Sequence, residues 1–188
     1  MPGFRHVSEE ELVALHRIRV VKATFAGPDG DTFERDIIRD LGYVAAVPVL
    51  DDGHTVVLVR QYRGPVDQEL LEIPAGLRDA PGEALEATVH RELAEEIGRK
   101  AERLELLAHV HQAAGISDEQ GWIYLATGLS EVPDSRQGPE EEAMSIETVD
   151  LADVPAMIAD GRLTDAKTIV GLLLARDRIL EDGATGSR

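Results

Sequence analysis

The stretch EALEATVHRELAEEIGR, from Glu83 to Arg99, decides the fold. On a wheel of 100° per residue, Leu85, Val89, Leu93 and Ile97 recur every fourth position and form one apolar stripe. That stripe predicts an amphipathic helix over Glu83–Ile97, and Gly98 suits its C-terminal end. Glu92, Glu95 and Glu96 fall on a neighbouring sector, three or four residues apart. Like charges at these spacings repel by a few tenths of a kcal/mol per pair, and by more where water is excluded. Carboxylates crowded beside a core edge call for a counter-charge. Arg91 can offset one of them. A divalent cation could satisfy the rest, because oxygen-rich sites suit Mg2+ or Mn2+. On spacing alone, a solvated face on an acidic protein remains the competing reading.

Working outward, short apolar runs alternate with turn formers. His16–Phe25 and Thr32–Ile38 predict strands, joined through Ala26-Gly-Pro-Asp-Gly30 as a hairpin. Tyr43–Leu50 and Thr55–Tyr62 are near-continuously apolar strands on either side of a turn at Asp51–His54, which suits central positions. Leu70–Pro74 predicts a short strand stopped by Pro74, and a loop follows to Gly82. Leu104–Gln112, Trp122–Thr127 and Ala143–Val149 predict strands; Leu151–Asp160 and Thr164–Leu180 predict helices. Strands with interspersed helices define a mixed α+β or layered α/β domain. The expected organisation is an N-terminal strand extension over 1–40, a main domain over 41–180 and a frayed tail over 181–188.

Composition excludes several classes of function. The chain has 188 residues, 43% of them hydrophobic, enough for a real core and too many for a disordered chain. Cysteine is absent, so disulfides, thiol catalysis and thiolate metal sites are excluded. Nineteen Lys and Arg stand against 36 Asp and Glu, a formal charge of -17, which repels nucleic-acid phosphates in bulk. No apolar run approaches the ~20 residues of a membrane span, and the first residues lack an apolar leader. The expectation is a cytoplasmic protein with a small-molecule partner, without nucleic acid or membrane.

The helix has a context. Glu72-Ile-Pro-Ala-Gly76 precedes it, then Glu83, then Arg91-Glu-Leu-Ala-Glu-Glu-Ile-Gly98. This resembles the Nudix box of the Nudix hydrolases: Gly, five residues, Glu, seven residues, then Arg-Glu-aliphatic-any-Glu-Glu-any-Gly-aliphatic. Glu83, Arg91, Glu92, Leu93, Glu95, Glu96 and Gly98 match at the correct spacing. Gly76 lies one residue too far upstream, a tolerable loop insertion. Arg99 replaces the last aliphatic residue, where a cation past a helix C-terminus is favourable.

The resemblance implies an α/β/α sandwich around a mixed sheet. It implies that Glu92 and Glu96 bind Mg2+, with Mn2+ possible, and that Glu95 joins them or holds a second ion. The Ala75 carbonyl is implied as a further ligand, with Glu83 and Arg91 orienting the site. Phe33–Ile38, Gln61-Tyr-Arg63, Glu72–Gly76 and Asp165-Ala-Lys-Thr168 extend the resemblance to the ADP-ribose pyrophosphatase group. That implies cleavage of a nucleoside diphosphate sugar, most simply ADP-ribose to AMP and ribose 5-phosphate. It also implies a homodimer to which the N-terminal strands contribute, with Ile18, Val20, Val21 and Phe25 as the expected contacts. Arg35 and Arg63 are candidates for the substrate phosphate or ribose, since guanidinium is a fork matched to phosphate. The general base is expected in Gln137–Met144, with Glu142 first, Glu140 second, and Glu141 able to substitute. One departure bears on the substrate: Ala114 stands where the group often has proline, before Gly115-Ile-Ser-Asp-Glu119. GDP-mannose or another nucleotide sugar is the alternative substrate, and a non-catalytic ADP-ribose-binding sensor is the alternative function. His109 and His111 share a strand face but lack a third ligand nearby. Trp122 and Tyr124 are expected in the core or an interface rather than against a base.

Overall fold

The computed structural model describes residues 3–80, 82–133 and 143–185. They divide into two compact units, one holding the chain to Gly42 together with Val110–Gln120, the other holding the remainder.

In the first unit, β1 (Arg5–Ala14), β2 (Arg19–Ala26) and β3 (Thr32–Arg39) form an antiparallel meander in that order. The β2–β3 turn closes where Gly27 donates its N–H to the Asp31 carbonyl at 2.8 Å, with Gly30 at φ 90°. The returning segment is pinned to β3, where Ile38 N–H donates to the Ile116 carbonyl at 2.8 Å and Arg39 bonds Asp118 at 3.1 Å. The strand β1 does not emerge from the sequence. Its run of glutamates has weak β propensity, and all ten of its residues are exposed.

The second unit has two sheets. One runs β7 (Ala75–Leu77), β4 (Tyr43–Pro48), β9 (Gln120–Glu131), β8 (Arg99–His111). The other runs β10 (Ser145–Asp150), β5 (Thr55–Arg63), β6 (Gln68–Glu72). Both apolar strands are interior to their sheets, as their composition predicts. They do not form a regular hairpin, however: β4 and β5 lie in different sheets, joined in pairing by the Val49–Val56 bridge just beyond β4. Every residue of β4 is buried. Helices cover both of its faces, which is why its sequence lacks alternation. Val44 and Ala46 belong to the cluster containing Val89, Leu93 and Ile97 of α1 (Leu85–Ile97). Val47 and Ile123 meet α3 (Ala166–Thr185), where a Cβ on Gly171 would sit about 3 Å from Val47, Ile73 and Ile123. A short α2 (Val154–Ala159) precedes α3. The result is the helix–sheet–helix sandwich expected from the sequence.

Several boundaries shift. The strand β8, for one, begins at Arg99 rather than Leu104, and β9 extends on both sides of Trp122–Thr127. The helix α1 begins at Leu85 rather than Glu83, because Ala84 is extended (ψ 146°) and caps it. The helix α3 continues to Thr185, past Leu180. Residues Ala75–Leu77 pair with β4 instead of looping. No described helix is long and apolar enough to cross a membrane.

Candidate active site

The apolar stripe of α1 determines where its carboxylates point. Val89, Leu93 and Ile97 are buried, and burying such side chains contributes about 1.5–3 kcal/mol each. Glu92 and Glu96, one residue round from that stripe, are drawn in with it and are only 7% and 4% exposed. Buried carboxylates need partners, because an unpaired buried charge is expensive. The Ala75 N–H donates to Glu96 Oε2 at 3.0 Å. Glu92 lies across Gly76 so closely that a Cβ there would be 1.8 Å from its carboxyl carbon. Gly76 is therefore required by close approach.

Arg91 gathers the remaining acids. Its guanidinium lies 2.6 Å from Glu92, 3.1 Å from Glu95 and 3.6 Å from Glu83, and Nη2 donates to the Leu77 carbonyl at 3.3 Å. Burial works against its charge, but Glu92, Glu95 and Glu83 outweigh that and raise its pKa. Glu83 stands just before the helix and accepts the Thr88 hydroxyl at 2.8 Å.

A second polar group lies behind the Ile73–Gly76 segment. Arg63 donates from Nε and Nη2 to the fully buried Glu72, each at 2.7 Å. This pairing raises the arginine pKa against the cost of burial. Lys167 also bonds Glu72, and reaches Asp165 at 3.0 Å. Burial opposes the Asp165 charge, but Lys167 and Thr168 prevail and hold its pKa below the usual value. The Glu72–Lys167 link was not assigned from the sequence, since 95 positions separate its ends. The signal available was an acid in an otherwise apolar strand end, Leu70-Leu-Glu-Ile-Pro74.

The other expected site residues fall as follows. Arg35 is exposed in the first unit, 4.8 Å over the Phe33 ring, and donates to the Glu34 carbonyl at 2.7 Å. Glu140 and Glu142 lie outside the described residues. Trp122 is stacked on one face by His109 at 4.8 Å and covered by Arg78 at 4.5 Å, so both ring faces are used. Tyr124 is buried in the core.

Among the described residues, no three acidic or histidine side chains converge on one point. The donor chemistry of α1 nonetheless suits a hard divalent cation. It offers three carboxylates within two turns, two of them buried, with the Arg91 guanidinium against Glu92 and Glu95.

This arrangement, a short strand carrying Gly76 against a helix with two buried acids and a third beside Arg91, is the setting in which the family comparison falls. The NUDIX domain model matches residues 40–170, and the chain belongs to the Nudix family. Its members generally need divalent metal ions and act on small nucleotide-derived substrates. The chain is 36% identical to the ADP-ribose pyrophosphatase of Mycobacterium tuberculosis (strain ATCC 25618 / H37Rv), over 78% of this chain and 70% of that protein. It is 31% identical to the GDP-mannose pyrophosphatase of Yersinia pestis (strain Pestoides F), over 71% of this chain and 70% of that protein. In fold it resembles a crystal structure of an ADP compounds hydrolase, with TM-score 0.81, 24% identity and 96% of each chain covered. The protein is a Nudix hydrolase.

Proposed function

We propose that the protein hydrolyses ADP-ribose to AMP and ribose 5-phosphate, using Mg2+ or Mn2+, as a cytoplasmic homodimer. The observation that carries the reading is the burial of Glu92 and Glu96 against the Ala75–Gly76 backbone. Two carboxylates held close to the backbone, with Glu95 nearby and sharing Arg91 with Glu92, supply the oxygen donors that a hard divalent cation takes.

Glu92, Glu96 and Glu95 would hold the ion, with the Ala75 carbonyl as a further oxygen donor. When bound, the ion neutralises diphosphate charge and makes phosphorus more electrophilic. Arg91 would keep the acids aligned, and Glu83 would steady Arg91. Arg63 would meet the substrate with the guanidinium edge not used by Glu72, and Arg35 is the second candidate for phosphate or ribose. Water attacks one phosphorus, a P–O bond to water forms and the bridging P–O bond breaks. Glu142, or Glu140 or Glu141 in its place, accepts the water proton, because helix carboxylates engaged with a cation are weak bases.

The dimer reading is supported by β1. It is an edge strand, and Phe4, Val7, Leu12, Val13 and Leu15 in and around it are exposed. An edge with apolar side chains favours pairing with another chain. These residues, rather than the buried Val21, are the proposed contacts.

GDP-mannose is the second reading, favoured by the Yersinia relative. A panel of nucleotide sugars with Mg2+ and with Mn2+ decides between them. ADP-ribose should give the highest kcat/KM. A higher value for GDP-mannose would transfer the assignment to it.

A further inference from the structure

The segment leading into the site is held from the opposite side of the sheet. The β5–β6 ladder stops at the Val59–Glu72 pair, so the next amide leaves the sheet. Ile73 is fully buried, and its N–H donates to Thr168 Oγ1 at 2.9 Å. Pro74 has no N–H, and its carbonyl accepts from Ala46 at 2.9 Å. The Ala75 N–H then donates to Glu96 at 3.0 Å. Three consecutive residues are thus tied to α3, β4 and α1.

Thr168 is itself oriented. It is fully buried, and its hydroxyl donates to Asp165 Oδ2 at 2.6 Å. Its N–H donates to the same oxygen at 2.9 Å. With the proton committed to Asp165, the hydroxyl lone pairs are left for Ile73. Lys167 bonds the same Asp165 oxygen and continues to Glu72, the residue before Ile73. The start of α3 therefore holds both the Glu72 side chain and the Ile73 N–H.

We propose that Thr168, aligned by Asp165, is a positioning residue for the carboxylate Glu96, acting through the Ile73–Ala75 segment. The proposal rests on the reading of Glu96 as a metal ligand. Thr168 touches no substrate. Its effect is to fix where the Ala75 N–H lies, and so which way the Glu96 oxygens face. A threonine serving stability alone would affect unfolding but not metal affinity in the folded protein.

The test is Mn2+ binding without substrate, followed by electron paramagnetic resonance, in wild type, Thr168→Val, Thr168→Ser and Glu96→Gln. Thr168→Val keeps the volume and removes the acceptor; it should weaken Mn2+ binding about tenfold, while Thr168→Ser stays within about twofold, as outer-shell partners of ligands behave. In metal-free Thr168→Val, amide exchange at Ala75 should also accelerate. A folded Thr168→Val with wild-type Mn2+ affinity overturns the proposal. If Thr168→Val does not fold, Asp165→Asn is measured in the same way, and wild-type affinity there overturns it equally. Glu96→Gln separates the two readings. Unimpaired Mn2+ binding in that variant overturns the ligand assignment and the proposal with it. Impaired binding there, with Thr168→Val unimpaired, overturns the proposal alone.

Discussion

Replacing Gly76 by alanine should separate activity from stability. A Cβ at this position would lie 1.8 Å from the Glu92 carboxyl carbon and 2.0 and 2.1 Å from its oxygens. Ordinary contact between heavy atoms needs about 3.5 Å, so the carboxylate must retreat by more than ~1 Å. The backbone itself is no obstacle, because Gly76 is not among the positive-φ glycines. The clash falls on the end of a flexible side chain, which can swing away at an off-rotamer cost of about 0.5–1.5 kcal/mol. In a chain of this size that corresponds to a melting shift of roughly 2–5 °C. Catalysis has no such latitude, since a misplacement of about 1 Å costs on the order of 100-fold. Turnover of ADP-ribose and thermal unfolding, measured on the same preparation, check both halves. A folded Gly76→Ala enzyme with near wild-type turnover would refute the view that Glu92 must occupy its observed place.

Three further outcomes are expected. Glu142→Gln should lower kcat by about 100-fold while substrate binding persists, as for loss of a general base; near wild-type rates in single and triple Gln variants at 140–142 would move the base elsewhere. His90 is held neutral, its pKa pushed down by burial and by Lys100, and its Nδ1 lacks a partner among the described residues. The unfolded chain therefore binds the proton more readily, and stability present above the ordinary histidine value of about 6.5 should fall as the pH drops below it. Urea unfolding between pH 8 and 5.5 (roughly the range over which an imidazole titrates) should show that slope, and His90→Leu should flatten it. Sedimentation should give a dimer for wild type, and Leu12→Asp with Val13→Asp should shift it towards monomer; a monomeric, fully active wild type would contradict the dimer.

The parts legible in the sequence are those where one local pattern carries the information. The four-residue apolar repeat fixes α1, and the spacing of Glu92, Glu95 and Glu96 places them beside the core, where Glu92 and Glu96 are buried. Continuous apolar runs mark β4 and β5 as interior. What the sequence hides depends on distant partners. The polar strand β1 offers no buried face to generate alternation. The short β7 exists because β4 offers it an edge. The sequence offers Arg63 as a substrate contact and Glu72, Lys167 and Asp165 only within separate motifs, and their pairing appears once the fold brings residues 95 positions apart into contact. Likewise, Gly76 reads as a loop glycine one residue out of register, and its contact with Glu92 reveals why a glycine stands there.

The central claim is that the acids of α1 hold the ion that makes diphosphate cleavage possible. Phosphorus NMR of ADP-ribose tests it most directly, with wild type and Glu96→Gln, each with Mg2+ and with chelator. The account predicts that wild type with Mg2+ replaces the diphosphate resonances with two phosphomonoester resonances, those of AMP and ribose 5-phosphate. The chelated enzyme and Glu96→Gln should leave the diphosphate intact. Cleavage that continues in chelator, or at wild-type rate in Glu96→Gln, would contradict it.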